Sequence, residues 1–201
     1  RWPTPTCGRG MFRRRPWLVS RPSSRPPATW RMRDRCRTRI EKPMDIRPAQ
    51  ASDLSSIRKC AEAAYGKYVE RIGKRPAPMI ADFAGQVSKG IVHILLKDSM
   101  IAGFVVFYRR GDHVHLESVA VDPAFQNRGY GLQLINHVEK TAVEAGVQAV
   151  ELYTNAKMTE NLSFYPRLGY EETGRCIADG FDRVFFRKAL AAYASRLRAL
   201  P

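Results

Sequence analysis

No stretch of this 201-residue chain reaches the ~18 consecutive apolar residues that a membrane-crossing helix needs, so no transmembrane helix is expected. Cysteine is scarce. Cys7, Cys36, Cys60 and Cys176 form no Cys-x-x-Cys pair, which argues against a zinc ribbon, and nothing points to export, so the thiols are expected to be reduced. Histidine is as scarce. His113 and His115 could ligate a metal from one strand face, but no third ligand is evident and no metal is expected. Acid is short too, with 19 Asp+Glu against 34 Lys+Arg and a net charge of +15. Such an imbalance suggests nucleic acid or an anionic surface. Its distribution says otherwise. Residues 1–43 hold twelve arginines and Lys42 against Asp34 and Glu41, a net of +11, which leaves only +4 for residues 44–201. No specific nucleic-acid partner and no membrane partner is therefore expected for the main domain.

Residues 1–43 mix Arg, Pro, Ser and Trp without helical or strand periodicity. Proline removes backbone donors and like charges repel, so the segment is expected to be disordered, with three readings open: a non-native extension, which leads, a functional basic arm or a targeting segment. It carries no apolar core of the signal-peptide kind, and proline is too frequent for an amphipathic transit helix. A cytoplasmic setting is the expectation. The domain proper is expected to span residues 44–190, with residues 191–201 as a tail.

What is present from Met44 onward is strong patterning, with no internal repeat. "MDIRPA" alternates as a first strand. A helix follows, with Ser52 as its expected N-cap and Leu54, Ile57, Ala61, Ala64, Tyr65 and Tyr68 at helical spacing. Residues 71–79 read as a loop, and 79–90 as a short helix. "IVHILLK" and "MIAGFVVFYRR" read as strands joined at Asp98-Ser99, and "HVHLESVAV" as a longer one. Residues 129–146 read as a helix with Gly131, Ile135, Val138, Ala142 and Ala145 on one stripe. "VQAVELYT" reads as a strand and "MTENLSFYPRLG" contains a short helix. A hairpin turning at Asp179-Gly180 closes the domain. This order implies an α/β fold with a mixed sheet.

The junction "SVAVDPAFQNRGYGLQLI", residues 118–135, is the most informative stretch. A β-branched run leads through a polar patch into a helix. A helix start has free N–H groups and partial positive charge, so it binds anions. Gly129 and Gly131 clear the approach, and Arg128 adds a cation. Two other nucleotide signatures fail on spacing. The dinucleotide pattern needs a glycine where Leu134 stands, and Gly66-Lys67 and Gly73-Lys74 lack the Ser/Thr of a P-loop.

Gln126-Asn127-Arg128-Gly129-Tyr130-Gly131 resembles the Gln/Arg-x-x-Gly-x-Gly/Ala signature of the GNAT family of N-acetyltransferases. "ENLSFYPRLGYEETG" resembles the family's Asn…Phe-Tyr-x-x-Leu-Gly-Phe/Tyr segment, and the order of elements fits across residues 44–190. The resemblance implies the GNAT acyl-CoA N-acyltransferase fold. That fold is a mostly antiparallel sheet of six to seven strands with a splayed parallel central pair and about four helices. It implies acetyl-CoA as co-substrate and direct attack by a primary amine on a small molecule or a protein. A non-catalytic acyl-CoA-binding module of the same fold is the alternative. Dimers are frequent in the family, and the acceptor is left open.

Carried over residue by residue, the resemblance puts Val119, Ala120 and Val121 beside pantetheine. Gln126, Asn127, Arg128, Gly129, Tyr130 and Gly131 lie at the diphosphate. Tyr165 becomes both coenzyme A contact and acid for the departing thiolate. Many members place an asparagine seven residues before that tyrosine, where this chain has Met158; Asn155 or Asn161 stands in as the coenzyme A contact. An ammonium must lose a proton before it attacks. Glu117 is the leading base, expected to share a strand face with His115 and Val119. His115, Glu151 or water are the alternatives. Tyr65, Tyr68, Arg71 and Arg75 lie where the family shapes its acceptor pocket.

Overall fold

The computed structural model describes residues 45–178 and 180–190. The expectations for the 1–43 extension and the 191–201 tail lie outside the described residues, as does Asp179 of the hairpin turn.

Seven strands form one sheet. In chain order they are β1 (Asp45–Pro48), β2 (Val92–Lys97), β3 (Met100–Arg110), β4 (His113–Val121), β5 (Ala149–Asn155), β6 (Glu171–Ala178) and β7 (Phe181–Ala189). Their order across the sheet is β1-β2-β3-β4-β5-β7-β6. All neighbours are antiparallel except β4 and β5. Asp98 and Ser99 both take left-handed torsions (φ 49 and 65), the geometry that a two-residue hairpin between right-twisted strands requires.

Helices cover both faces. On one lie α1 (Leu54–Tyr65), α2 (Val69–Ile72) and α3 (Phe83–Ser88); on the other lie α4 (Tyr130–Glu144) and α5 (Thr159–Arg167). Ile57, Cys60, Ala61, Ala64 and Phe83 fill the first core with Ile94, Phe104 and Ala120. Leu134, Ile135, Val138 and Ala142 fill the second with Val105, Leu116, Val150 and Phe186. Fully burying a Leu, Ile or Val side chain contributes about 1.5–3 kcal/mol, so this stripe fixes α4 to the sheet.

Local differences from the sequence reading have local causes. Ser52 is not an N-cap. A 3₁₀ turn at Ala51–Asp53 leads into α1, and Asp53 closes it by accepting the Gln50 N–H at 2.7 Å. Arg47 grips the same carboxylate at 2.8 and 3.1 Å. Residues 71–79 are not all loop, because α2 runs to Ile72 and a 3₁₀ turn spans Ala77–Met79. Gly73, at φ 87, stops α2 in a left-handed torsion. The helix expected over 79–90 shrinks to α3, where the Asp82 side chain accepts the Gly85 N–H at 3.0 Å.

Candidate active site at the split between β4 and β5

β4 and β5 pair only at Val114, His115 and Leu116 opposite Val150, Glu151 and Leu152. Beyond Leu116 they part. The register of β3 with β4 explains why. Val106 faces Ser118 while Phe107 faces Leu116, so Glu117 is an extra residue, a β-bulge that bends β4. The bulge also reverses the side-chain parity. Val114 and Leu116 pack under α4, and past the bulge it is Val119 and Val121 that reach that core while Ala120 packs against α1. Glu117 therefore does not share a face with Val119, as strict alternation predicts. It sits on the α3 side and accepts a hydrogen bond from Gln86 Nε2 at 3.0 Å.

The split opens a cavity of about 540 Å³, within the range of small-ligand sites. Residues 116–121 of β4, the start of α4, Tyr153 to Asn155 of β5, and Asn161, Phe164 and Tyr165 of α5 line it. The Asp122 N–H bonds to Ala102 O on β3. Alternation along the strand then turns the main-chain groups of Val119 and Val121 toward the split. Both carbonyls are already engaged. Tyr65 Oη donates to Val119 O at 2.7 Å, and Gln126 Nε2 donates to Val121 O at 3.0 Å. The split thus offers a ligand N–H donors.

At one end of the cavity stands the start of α4. Its first intrahelical bond runs from Gln133 N–H to Gly129 O. The six preceding N–H groups, from Asn127 to Leu132, donate to no acceptor among the described residues. Asn127 and Gly129 hold φ values of 61 and 79, and this alternation curves successive N–H groups into an anion-binding concavity. Space in front of Gly129 is open. A Cβ on Gly131 would stand in ordinary contact with Val121 Cγ2 at 3.8 Å and Phe164 Cζ at 3.9 Å, so only a longer side chain there would fill the space between the concavity and the split.

The other site candidates divide. Tyr165 is buried among Phe164, Tyr170 and Phe186, with ring centroids 5.5–5.8 Å away, and its hydroxyl has no hydrogen-bond partner among the described residues. Burial pushes its phenol above the usual range, so it stays protonated near neutrality. Asn161 Nδ2 donates to Thr154 Oγ1 at 2.9 Å, and Asn155 Oδ1 accepts the Lys157 N–H at 2.9 Å. Both asparagines line the cavity with part of their polar capacity already used. Gln126 acts on β4 rather than standing free. The Arg128 guanidinium packs over the Phe125 ring at 5.9 Å, and Tyr130 buries its ring beside Phe125.

Two base alternatives lie elsewhere. Glu151 is ion-paired to Arg187, with His113 Nε2 3.2 Å from its carboxylate, at the closed end of the β4–β5 pair. His115 is buried between Tyr108 and Tyr153, where burial holds its pKa below the usual value. Arg75 pairs with Glu62 on α1, and Arg71 pairs with Glu160 at 2.7 Å, so neither arginine is a free anion site. Among the described residues no cluster of three His, Cys, Asp or Glu could hold a metal, and no helix is long and apolar enough to cross a membrane.

Tyr65, expected on the apolar stripe of the first helix and beside the acceptor pocket, proves to reach β4 itself. No local pattern signals that contact, because its partner lies 54 residues away.

The chain belongs to the GNAT acetyltransferase family, whose model matches residues 56–170. Two curated relatives match over shorter stretches. One is the [ribosomal protein bS18]-alanine N-acetyltransferase of Salmonella typhimurium, 32% identical over 78 residues, covering 39% of this chain and 53% of that protein. The other is an uncharacterized N-acetyltransferase of Methanocaldococcus jannaschii, 39% identical over 57 residues, covering 28% and 25%. The chain thus spans about half or less of the curated relatives it matches. Among solved structures, PaiA N-acetyltransferase from Thermoplasma acidophilum in complex with coenzyme A superposes with a TM-score of 0.62 at 16% identity, covering 74% of this chain and 99% of that one. The ribosomal-protein-S18-alanine N-acetyltransferase of Escherichia coli gives 0.60 at 20%, covering 73% and 93%. At these identities the likeness concerns the fold.

Proposed function

We propose that the protein transfers the acetyl group of acetyl-CoA to a primary amine, in a cytoplasmic setting where that thioester is made and used. The observation that carries this reading is the run of six unengaged N–H groups at residues 127–132, opening into a split whose strand edge presents donors. An anionic diphosphate joined to a long amide arm and a thioester matches that layout from end to end. Asn127, Gly129, Tyr130 and Gly131 hold the diphosphate through their main chain, and Arg128 adds charge at the rim. The N–H groups of Val119 and Val121 take the pantetheine and thioester oxygens, flanked by Ala120. Gln126 serves the site by fixing the Val121 carbonyl. Asn155 and Asn161 contact the arm from the β5–α5 side.

Acetyl-CoA supplies the reactive carbonyl when bound; the chain supplies proton handling. Glu117, on the α3 side of the bulge, receives the ammonium proton through a water and passes it to solvent, leaving a neutral amine. The amine nitrogen bonds to the acetyl carbon, a second nitrogen proton passes to Glu117, and the C–S bond breaks. Tyr165, on the α5 side, gives its proton to the departing sulfur. Val121 N–H stabilises the oxyanion between these events.

The test combines binding and turnover. Acetyl-CoA at about 100 times its Kd should stabilise the protein by about 2.7 kcal/mol. Gly131→Leu should abolish that gain by filling the passage without straining a helical torsion. With a panel of spermidine, L-methionine and a hexapeptide bearing a free α-amine, at least one should release free thiol, and Tyr165→Phe should slow release by about 10²-fold. Acetyl-CoA binding without thiol release from any amine would leave a binding module instead of an enzyme.

A further inference from the structure

Tyr65 ends α1, and its hydroxyl lies 2.7 Å from the Val119 carbonyl oxygen inside the split. It is 8% exposed and lines the cavity. A phenol has one proton and two acceptor sites. A carbonyl cannot donate, so the Tyr65 proton is spent on Val119, and what its oxygen still presents to the cavity is acceptor capacity. Tyr165 is the reverse case, since its proton is committed to no described residue. Burial pushes both phenols above their usual range, so neither ionises near neutrality, and hydrogen-bond commitment separates their roles. They also come from opposite faces of the sheet, Tyr65 from the α1 core and Tyr165 from the α5 core. Glu117 stands on the same side as Tyr65, held by Gln86 of α3.

We propose that Tyr65 receives the acceptor amine. Its oxygen takes a hydrogen bond from one N–H and turns the nitrogen lone pair toward the acyl carbon held beside Val119 and Val121. This rests on the acyl-transfer reading and adds a residue to it. No proton passes to Tyr65. The N–H···O bond persists while the C–N bond forms, a second nitrogen-bound proton leaves toward Glu117, the C–S bond breaks and sulfur takes the Tyr165 proton. The amine is served from the α1–α3 side and the thiolate from the α5 side.

A selectivity follows. A neutral primary amine has two N–H groups, one to hold and one to lose as attack proceeds. A neutral N-methyl secondary amine has one and cannot serve both needs. Whichever panel amine the protein turns over is therefore compared with its N-methyl counterpart, in wild type and Tyr65→Phe, with the Kd for acetyl-CoA measured alongside. Wild type should prefer the primary amine by about tenfold, the value of one good hydrogen bond. Tyr65→Phe should lose about tenfold in kcat/KM with the primary amine only, erasing the preference while acetyl-CoA affinity stays within about twofold. An equal loss with both amines, a parallel loss of acetyl-CoA affinity, or no loss would overturn the role. Transfer by wild type to no amine would instead bring down the acyl-transfer reading, and Tyr65 with it.

Discussion

Two helix starts in this protein are treated in opposite ways. Before α1, the Asp53 carboxylate takes the Gln50 N–H, and Arg47 locks that carboxylate in place. At α4, six successive N–H groups are left without an acceptor among the described residues, with left-handed torsions at Asn127 and Gly129 beside the cavity. A helix start normally fills its donors with a side-chain acceptor worth about 1 kcal/mol. Leaving them bare at α4 forgoes that stabilisation. The fold compensates along the same helix, where Leu134, Ile135, Val138 and Ala142 are fully buried. The comparison separates an end with a side-chain acceptor from an end whose donors stay bare.

The sharpest way to break it is to give α4 a cap of its own. Gly129→Asp places a carboxylate in the concavity, at a left-handed position that Asp tolerates better than most residues. We expect acetyl-CoA affinity to fall by about 100-fold or more, because the new charge both fills the donors and repels a diphosphate. Stability without ligand should change by less than about 1 kcal/mol, the cap offsetting the torsional cost. Calorimetric titration with urea unfolding checks both, and retained affinity would remove the diphosphate from this end of the cavity.

The converse change comes next in size. Asp53→Ala removes the acceptor before α1 and leaves Arg47 without its carboxylate. The expected cost is about 1.5–2 kcal/mol from lost cap and ion pair together. Acetyl-CoA affinity should stay within about twofold, since Asp53 does not line the cavity. Urea midpoints at constant m-value are the measurement, and an affinity loss as large as the stability loss would dissolve the distinction between the two ends.

Much of this was legible from the sequence where the determinants are local. The hairpin at Asp98-Ser99, the strand over residues 113–121 and the glycines of the concavity each depend on neighbours within a few positions. What escaped depends on partners far along the chain. The bulge at Glu117 exists only in register against Val106 and Phe107, so simple alternation gave Glu117 the wrong face. Tyr65 needs Val119 to become more than a core aromatic. Glu139 reads as a solvated helix residue, yet it is 2% exposed, bonded by Tyr170 Oη at 3.0 Å and by Lys188 Nζ at 2.7 Å. Neither partner is in its own helix, and no periodicity in α4 announces them. Glu151 and His115, plausible bases by position, were drawn into an ion pair and an aromatic stack by strands that the sequence does not label as neighbours.

The smallest expected effect concerns how α4 is held once its start is left bare. His137 of α4 meets His93 of β2, Nε2 to Nδ1 at 2.8 Å, with the Phe107 ring against both. One imidazole must be neutral and accepting for that bond to form. Burial first, then the nearby His137, pushes the His93 pKa down to about 4. Burial also lowers His137, while Glu144 and Lys140 on its own helix pull it in opposite directions. The sign follows from proton counting. Between the ordinary value near 6.5 and about 4, the unfolded chain binds a proton at His93 that the native state refuses. Stability from this pair is therefore complete above about pH 6.5, declines as pH falls toward 4, and changes no further below it. Because His93 is only half-buried, solvent reduces the effect to on the order of 1 kcal/mol. His115 and the paired carboxylates also titrate, so the informative quantity is a difference between proteins. Urea unfolding at pH 7.5 and pH 5 should show a smaller acid-side loss in His93→Asn than in wild type. An equal loss in both would mean that the contact is indifferent to protons.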